Sequence, residues 1–247
     1  MYIAVDIGAT NIRVAEFDGM DHPQLLDFKS EKTSPDYQAS LKKIKVMVGD
    51  RKPERVGVGA PGSANLPKWR DQDLQKDLEN LLGCPVILQN DVAAAASGEA
   101  HYGSPENSDF LFVSWGTGIG GAFVHNLQVT PTQIGHQIIV KNGKECGCSQ
   151  HGCLEAYCGG KYIKSDDLLP GIVPHFAQGL VNCVAIRPVP LIVFAGGLAV
   201  HQPKILASIE TEVKNIIKIV VAPKFRMATF GDQAGIYGAL SLLKSTL

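Results

Sequence analysis

The N-terminal run MYIAVDIGATNIRVAEFD holds two short apolar stretches separated by Asp-Ile-Gly-Ala-Thr-Asn, a pattern that predicts two strands joined by a tight turn. LLDFKSEKT follows as a third strand. Over DYQASLKKIKVMVGD the apolar residues recur at helical spacing and the run ends at a glycine. RVGVGAPG reads as a short buried strand entering a Gly/Pro loop. DQDLQKDLENLLG reads as an amphipathic helix with Gly83 as its C-cap. PVILQND returns to strand, and VAAAASGEAHYG is a helix of small residues. The predicted order of this half is β-β-β-α-β-α-β-α.

The second half opens on the same theme, since DFLFVSWGTGIGGAFVHN is again strand, Gly/Thr turn, strand. After a cysteine-rich segment come a helix through VPHFAQGLVNCVAIR, a strand over PLIVFAGGLAV, a helix over ASIETEVKNIIKIV and a last helix over AGIYGALSLLK. No low-complexity linker separates the halves. The polar stretch GSPENSD at 103–109 is the expected boundary, giving domains at 1–106 and 107–247, with the last helix free to pack back on the first. Two matching hairpins are unlike a single Rossmann wind. They predict duplicated α/β domains facing each other across a cleft. Glycine in each turn lets the backbone approach a phosphate closely, while turn N–H groups and the threonine hydroxyl supply donors. GTGIGG lacks the Gly-Lys-Ser/Thr ending of a Walker A loop and leads into a strand.

Charge narrows the classes. Lys and Arg total 23 against 24 Asp and Glu, for a net charge of −1, and the signs are interspersed. Such a balance carries no electrostatic footprint for nucleic acid or for a membrane surface. Neither a charged-then-apolar leader nor a run long enough to span a bilayer stands out, so a cytoplasmic α/β enzyme is expected.

The segment QIGHQIIVKNGKECGCSQHGCLE places His136, Cys146, Cys148 and Cys153 within eighteen residues, and Glu155 follows two positions later. Three thiolates and an imidazole form a complete tetrahedral ligand set for zinc, with no position left for water. In a cytosolic setting clustered cysteines point to metal rather than to disulfides, and Cys-x-Cys is too tight for an easy mutual bond. Zinc held this way would be structural. Cys84, Cys158 and Cys183 stand apart in apolar or mixed surroundings, where a small hydrophobe suffices.

DIGATNIR, GVGAPG, QNDVAAAASGEA, SWGTGIGGA, the IGH and CGC…GCLEAY pair, FAGG and GDQAGIYGA occur in an order that resembles the ROK (repressor, open reading frame, kinase) family of the actin-like sugar-kinase superfamily. The resemblance implies two ribonuclease-H-like domains that close over ATP, Mg²⁺ and a hexose, and a homodimer. It makes Asp6 the carboxylate that organises Mg²⁺ and phosphate, because Mg²⁺ bridges and neutralises phosphate oxygens. Gly8, Thr10 and Asn11 would cradle phosphate, with Gly116, Thr117, Gly118 and Gly120 as the opposite jaw. Gly196 and Gly197 resemble the adenosine loop. Asp91 would accept the hydroxyl proton as the oxygen attacks the γ-phosphoryl group, although Asn-Asp before a helix also makes a common N-cap. Asn65 and Asn90 would contact the sugar. His136 would bind zinc through one nitrogen and offer the other N–H to the sugar, with Glu155 accepting from hydroxyls.

Three departures from the family pattern stand out, and the first bears on sugar identity. Gln133 stands where Glu-Ile-Gly-His has its glutamate, keeping length and one acceptor but losing the charge. Ser149 replaces a customary glycine, and the segments around Asn65 and after Glu155 are short. The implied activity is ATP-dependent phosphorylation of a hexose, with the 6-hydroxyl of glucose first. An amino sugar such as N-acetylmannosamine or N-acetylglucosamine, fructose, or a non-catalytic sugar-binding regulator are the alternatives.

Overall fold

The computed structural model describes residues 1–62, 66, 69–103, 108–165 and 169–244, so Asn65 lies outside the described residues. The chain forms two compact units, Met1–Ser104 with Gln233–Leu247, and Pro105–Asp232.

In the first unit β1 (Tyr2–Ile7), β2 (Asn11–Phe17) and β3 (Leu25–Lys32) form an antiparallel meander. After α1 (Tyr37–Val48), β4 (Val56–Ala60) joins β1 in parallel; after α2 (Leu74–Leu82), β5 (Val86–Asn90) joins β4 in parallel. The sheet order is β3-β2-β1-β4-β5, and α3 (Asp91–Tyr102) follows directly on β5. β1 and β4 sit centrally and are buried almost throughout, which is why they read as apolar runs rather than alternations. The helix ends follow their side chains. Asp36 and Asp73 cap α1 and α2 by accepting from Ala39 and Lys76 amides, and Gly83 closes α2 in the left-handed conformation.

The second unit repeats the plan. β6 (Asp109–Trp115), β7 (Ile119–His125) and β8 (Gln128–Thr132) are antiparallel. α4 (Leu154–Cys158) and α5 (Leu169–Ile186) precede β9 (Leu191–Ala195), which pairs in parallel with β6. α6 (Gly197–His201) and α7 (Pro203–Ile216) lead to β10 (Lys224–Met227), parallel to β9. The order β10-β9-β6-β7-β8 is the first sheet's order read from the other end. α5 is long and apolar enough to cross a membrane by length and composition alone. Its Ile172, Phe176, Leu180 and Val184 are core residues of this unit, packed with Trp115, Phe194 and Ile209.

Three readings of the pattern are corrected. The strand expected over PLIVFAGGLAV stops at Ala195, because Gly196 turns the chain at φ +96° and α6 begins. The next helix starts at Pro203, four residues before the expected ASIETEV run, and ends at Ile216. β8 and β10 were not signalled, being short edge strands with few buried positions.

The last helix, α8 (Ala234–Ser241), lies on the first sheet and against α3. Small residues make this approach possible. A Cβ on Gly57 would collide with the Ala239 carbonyl, and one on Gly98 would lie 2.5 Å from the Gly238 nitrogen. Ala4, Ala15, Phe17, Ile236, Ala239, Leu240 and Leu243 fill the contact.

Candidate active site

In the first unit the site residues gather at the C-terminal ends of β1 and β5. Asp6 is 6% exposed, and its Oδ2 accepts from Arg13 Nη1 at 2.9 Å across the β1–β2 hairpin, where the two residues are register partners. Burial raises the Asp6 titration, against the opposing pull of Arg13. A Cβ on Gly235, in the first turn of α8, would run into the Asp6 carboxyl, so only glycine fits there. The turn after β1 is pinned by Gly8 N–H to Asn11 O (2.8 Å) and by Thr33, whose hydroxyl donates to Gly8 O and whose amide donates to Thr10 O. Thr10 itself is exposed at the tip.

Asp91 is the first residue of α3. Its Oδ1 accepts from Val92 N–H (2.9 Å) and from Asn90 Nδ2 (3.1 Å). Burial and the Asp6 charge push its titration up to about 6, with those hydrogen bonds pulling the other way. Asn90 does serve as the N-cap: its Oδ1 accepts from Val92 and Ala93 amides, leaving part of its amide donor capacity for a ligand. Two carboxylates therefore share one end of the sheet, one beside a guanidinium and one poised to take a proton near neutrality.

In the second unit the β6–β7 turn, Gly116–Gly118, folds on itself through Gly116 N–H to Gly118 O at 3.0 Å. Among the described residues the Thr117 and Gly118 amides have no hydrogen-bond acceptor, and Thr117 is exposed. Gly120 lies beyond the turn within β7. Gly196, the N-cap of α6, has a positive φ and abuts Trp115, whereas a Cβ on Gly197 would meet nothing within 4 Å. A Cβ on Gly116 would lie 3.9 Å from Gly197 N, so the two glycine pairs adjoin. Exposed Gly197 thus adjoins Gly116, the first residue of the turn that carries the two free amides.

His136, Cys146, Cys148 and Cys153 converge, with ligand atoms all within 4.8 Å of one another. Cys148 Sγ and Cys153 Sγ are 3.7 Å apart, and Cys146 Sγ lies 3.7 Å from His136 Nδ1. Tetrahedral Zn–S bonds of about 2.3 Å span an edge of about 3.8 Å, far longer than a disulfide. The set fits zinc, with Nδ1 as the ligand and Nε2 left over. Ser149 holds φ +70° within this knot, the backbone state a glycine would take without strain.

The IGH turn spans Ile134–His136, and Gly135 packs so closely under the Ile119 carbonyl that a Cβ would collide. Gln133, just ahead of it, is exposed. Glu155 is buried rather than solvated: Oε2 accepts from Ile119 N–H at 2.9 Å and Oε1 pairs with Lys161 Nζ at 2.6 Å. Arg13, Gly235 and Lys161 were missed in the sequence. The first could have been found by registering the hairpin, since Asp6 and Arg13 face each other across it.

A family model described as ROK family matches residues 2–167. A glucokinase of Streptomyces coelicolor is 29% identical over 182 residues, which cover 65% of this chain but only 57% of that enzyme's length. An N-acetyl-D-glucosamine kinase of Escherichia coli is 26% identical over 305 aligned residues, covering 98% of this chain and 99% of its own. The crystal structure of a ROK hexokinase from Thermus thermophilus superposes with a TM-score of 0.84 at 24% identity, covering 99% of both chains.

Proposed function

The chain belongs to the ROK family, and from that premise we propose that it is an ATP-dependent kinase that phosphorylates a hexose hydroxyl, with the 6-hydroxyl of glucose first. The observation that carries this reading is Asp91: a carboxyl fixed at a helix start, beside Asp6, and titrating near 6. A base of that kind is largely ionised at neutral pH and still able to accept a proton as a hydroxyl attacks.

The other assignments follow within each unit. Asp6 is a hard, buried oxygen donor that fits Mg²⁺, and a dication there would offset the penalty burial places on its charge. Gly8, Thr10 and Asn11 are assigned to phosphate on the first unit, and Gly116, Thr117, Gly118 and Gly120 to phosphate on the second. The open space at Gly197, beside Gly196, takes the adenosine. Asn90 and Asp91 are assigned to the sugar on the first unit, and Gln133 and the Nε2 of His136 on the second, where a zinc ion on Nδ1 would fix the imidazole tautomer. Glu155 keeps its expected place among the sugar ligands as part of this proposal: one oxygen accepts from Ile119 N–H and the other pairs with Lys161, which leaves each a lone pair for a hydroxyl. Asn65 keeps its expected place in the sugar site as part of this proposal, as does a homodimer in solution.

A second sugar class has specific support. The N-acetyl-D-glucosamine kinase relative covers nearly the whole chain at an identity close to that of the glucokinase. Gln133, neutral where the family carries a charge, is where the acceptor hydroxyl pattern would change. A coupled assay of ADP release with MgATP and a panel of glucose, mannose, fructose, N-acetylglucosamine and N-acetylmannosamine tests both. Turnover of glucose is the expected result, and turnover confined to the amino sugars favours the second class. Sugar binding without turnover of any member contradicts the kinase reading and leaves a binding protein.

A further inference from the structure

The segment from Cys153 to Tyr162 touches two features of the second unit at once. Toward the glycine turn, Glu155 Oε2 accepts from Ile119 N–H, Gly160 N–H donates to Gly116 O and Lys161 N–H donates to Thr117 O, each at 2.9 Å. Toward the cysteine knot, Gly147 N–H donates to Tyr162 OH at 2.8 Å, and a Cβ on Gly147 would lie 3.3 Å from Lys161 Nζ. Lys161 Nζ closes the arrangement on Glu155 Oε1 at 2.6 Å. Gly118 lies directly over this carboxylate, with no room for a Cβ between them.

We propose that the Glu155–Lys161 ion pair is a strut that holds the Gly116–Ile119 turn, and that Lys161 is a positioning residue for the phosphates of the nucleotide. The inference rests on reading that turn as a phosphate loop. Two physical effects act together. The turn's carbonyls at 116 and 117 are tied down by the 160 and 161 amides, so the amides of Thr117 and Gly118 stay free to face an anion. The carboxylate beneath them would repel that anion if bare, and the ammonium of Lys161 cancels its charge. Lys161 is 37% exposed at its side chain, so replacing it does not open the core.

Calorimetric titration of ADP, adenosine and the preferred hexose into wild type, Lys161→Met, Lys161→Arg and the double variant Lys161→Met/Glu155→Gln tests this. Lys161→Met should lose about tenfold in ADP affinity while adenosine and hexose stay within about twofold, because only phosphate senses the uncovered charge. Lys161→Arg should retain ADP binding, and the double variant should recover most of it, since a neutral amide still accepts from Ile119. Equal loss of ADP and adenosine, a loss confined to the hexose, or no loss overturns the proposal. Wild type that binds neither ADP nor adenosine contradicts the phosphate-loop reading instead. The strut is then read from hydrogen exchange at the Ile119 and Gly160 amides, which Lys161→Met speeds if the strut exists and leaves unchanged if it does not.

Discussion

Asp91 is held by groups from its own strand end and helix start, the Val92 amide and the Asn90 side chain, and is still lifted to about 6. Burial outweighs the stabilising hydrogen bonds, and the charge on Asp6 adds to it. The sign fixes a pH dependence. The base is competent only when ionised, so kcat/KM should be flat above neutrality and fall about tenfold per unit below pH 6. A rate profile from pH 5 to 8.5 at saturating Mg²⁺ checks this; a profile flat down to pH 5 would contradict it. Ser149 is a second position where one residue matters. It sits at φ +70° in the cysteine knot, a state that disfavours a side chain by roughly 1–2 kcal/mol. Ser149→Gly should therefore raise the melting temperature of the zinc-loaded protein by a few degrees, less whatever glycine adds to the freedom of the unfolded chain. A lower melting temperature in calorimetry would contradict the claim that the left-handed backbone at Ser149 costs more than glycine's added unfolded-chain freedom.

The elements that position these side chains were legible where their signal is local. The apolar runs of β1 and β4, the helical spacing of α1 and the glycine stop of α2 all read directly, because neighbours within a few residues set the pattern. The convergence of His136, Cys146, Cys148 and Cys153 read from spacing for the same reason. What failed was decided at a distance or by one dihedral. β8 and β10 exist through pairing with β7 and β9, and their own sequences carry little alternation. The FAGG strand breaks because Gly196 alone can hold its φ. Lys161 looks like a surface lysine until the fold sets it 2.6 Å from Glu155. At this scale the knot makes its own prediction. Cys148→Ser should lower bound zinc below stoichiometry by atomic absorption and weaken hexose binding through His136 more than adenosine binding. Equal loss of both affinities would instead make the knot a requirement for global folding.

For the whole molecule, the decisive feature is duplication. Each unit carries three antiparallel strands followed by two parallel ones, and each places a glycine turn after its first strand. The two copies have diverged in what they hold. The first keeps Asp6, Arg13 and Asp91, and the second keeps the cysteine knot and the open ground at Gly197. The repeated hairpins in the sequence foretold the doubling, yet nothing local set Asp91, the proposed base, apart from an ordinary residue beside a helix cap. Its raised titration, from desolvation and its neighbour Asp6, is what supports that proposal. The claim that this residue is the base in a hexose kinase is tested most directly by comparing hexose phosphate formation from MgATP in wild type and Asp91→Asn, with hexose and nucleotide affinities measured alongside. The amide preserves shape and the bond from Val92 but cannot take a proton, so turnover should fall by about 10²–10⁴-fold with both affinities nearly unchanged. Asp91→Asn turning over at close to the wild-type rate would contradict the account.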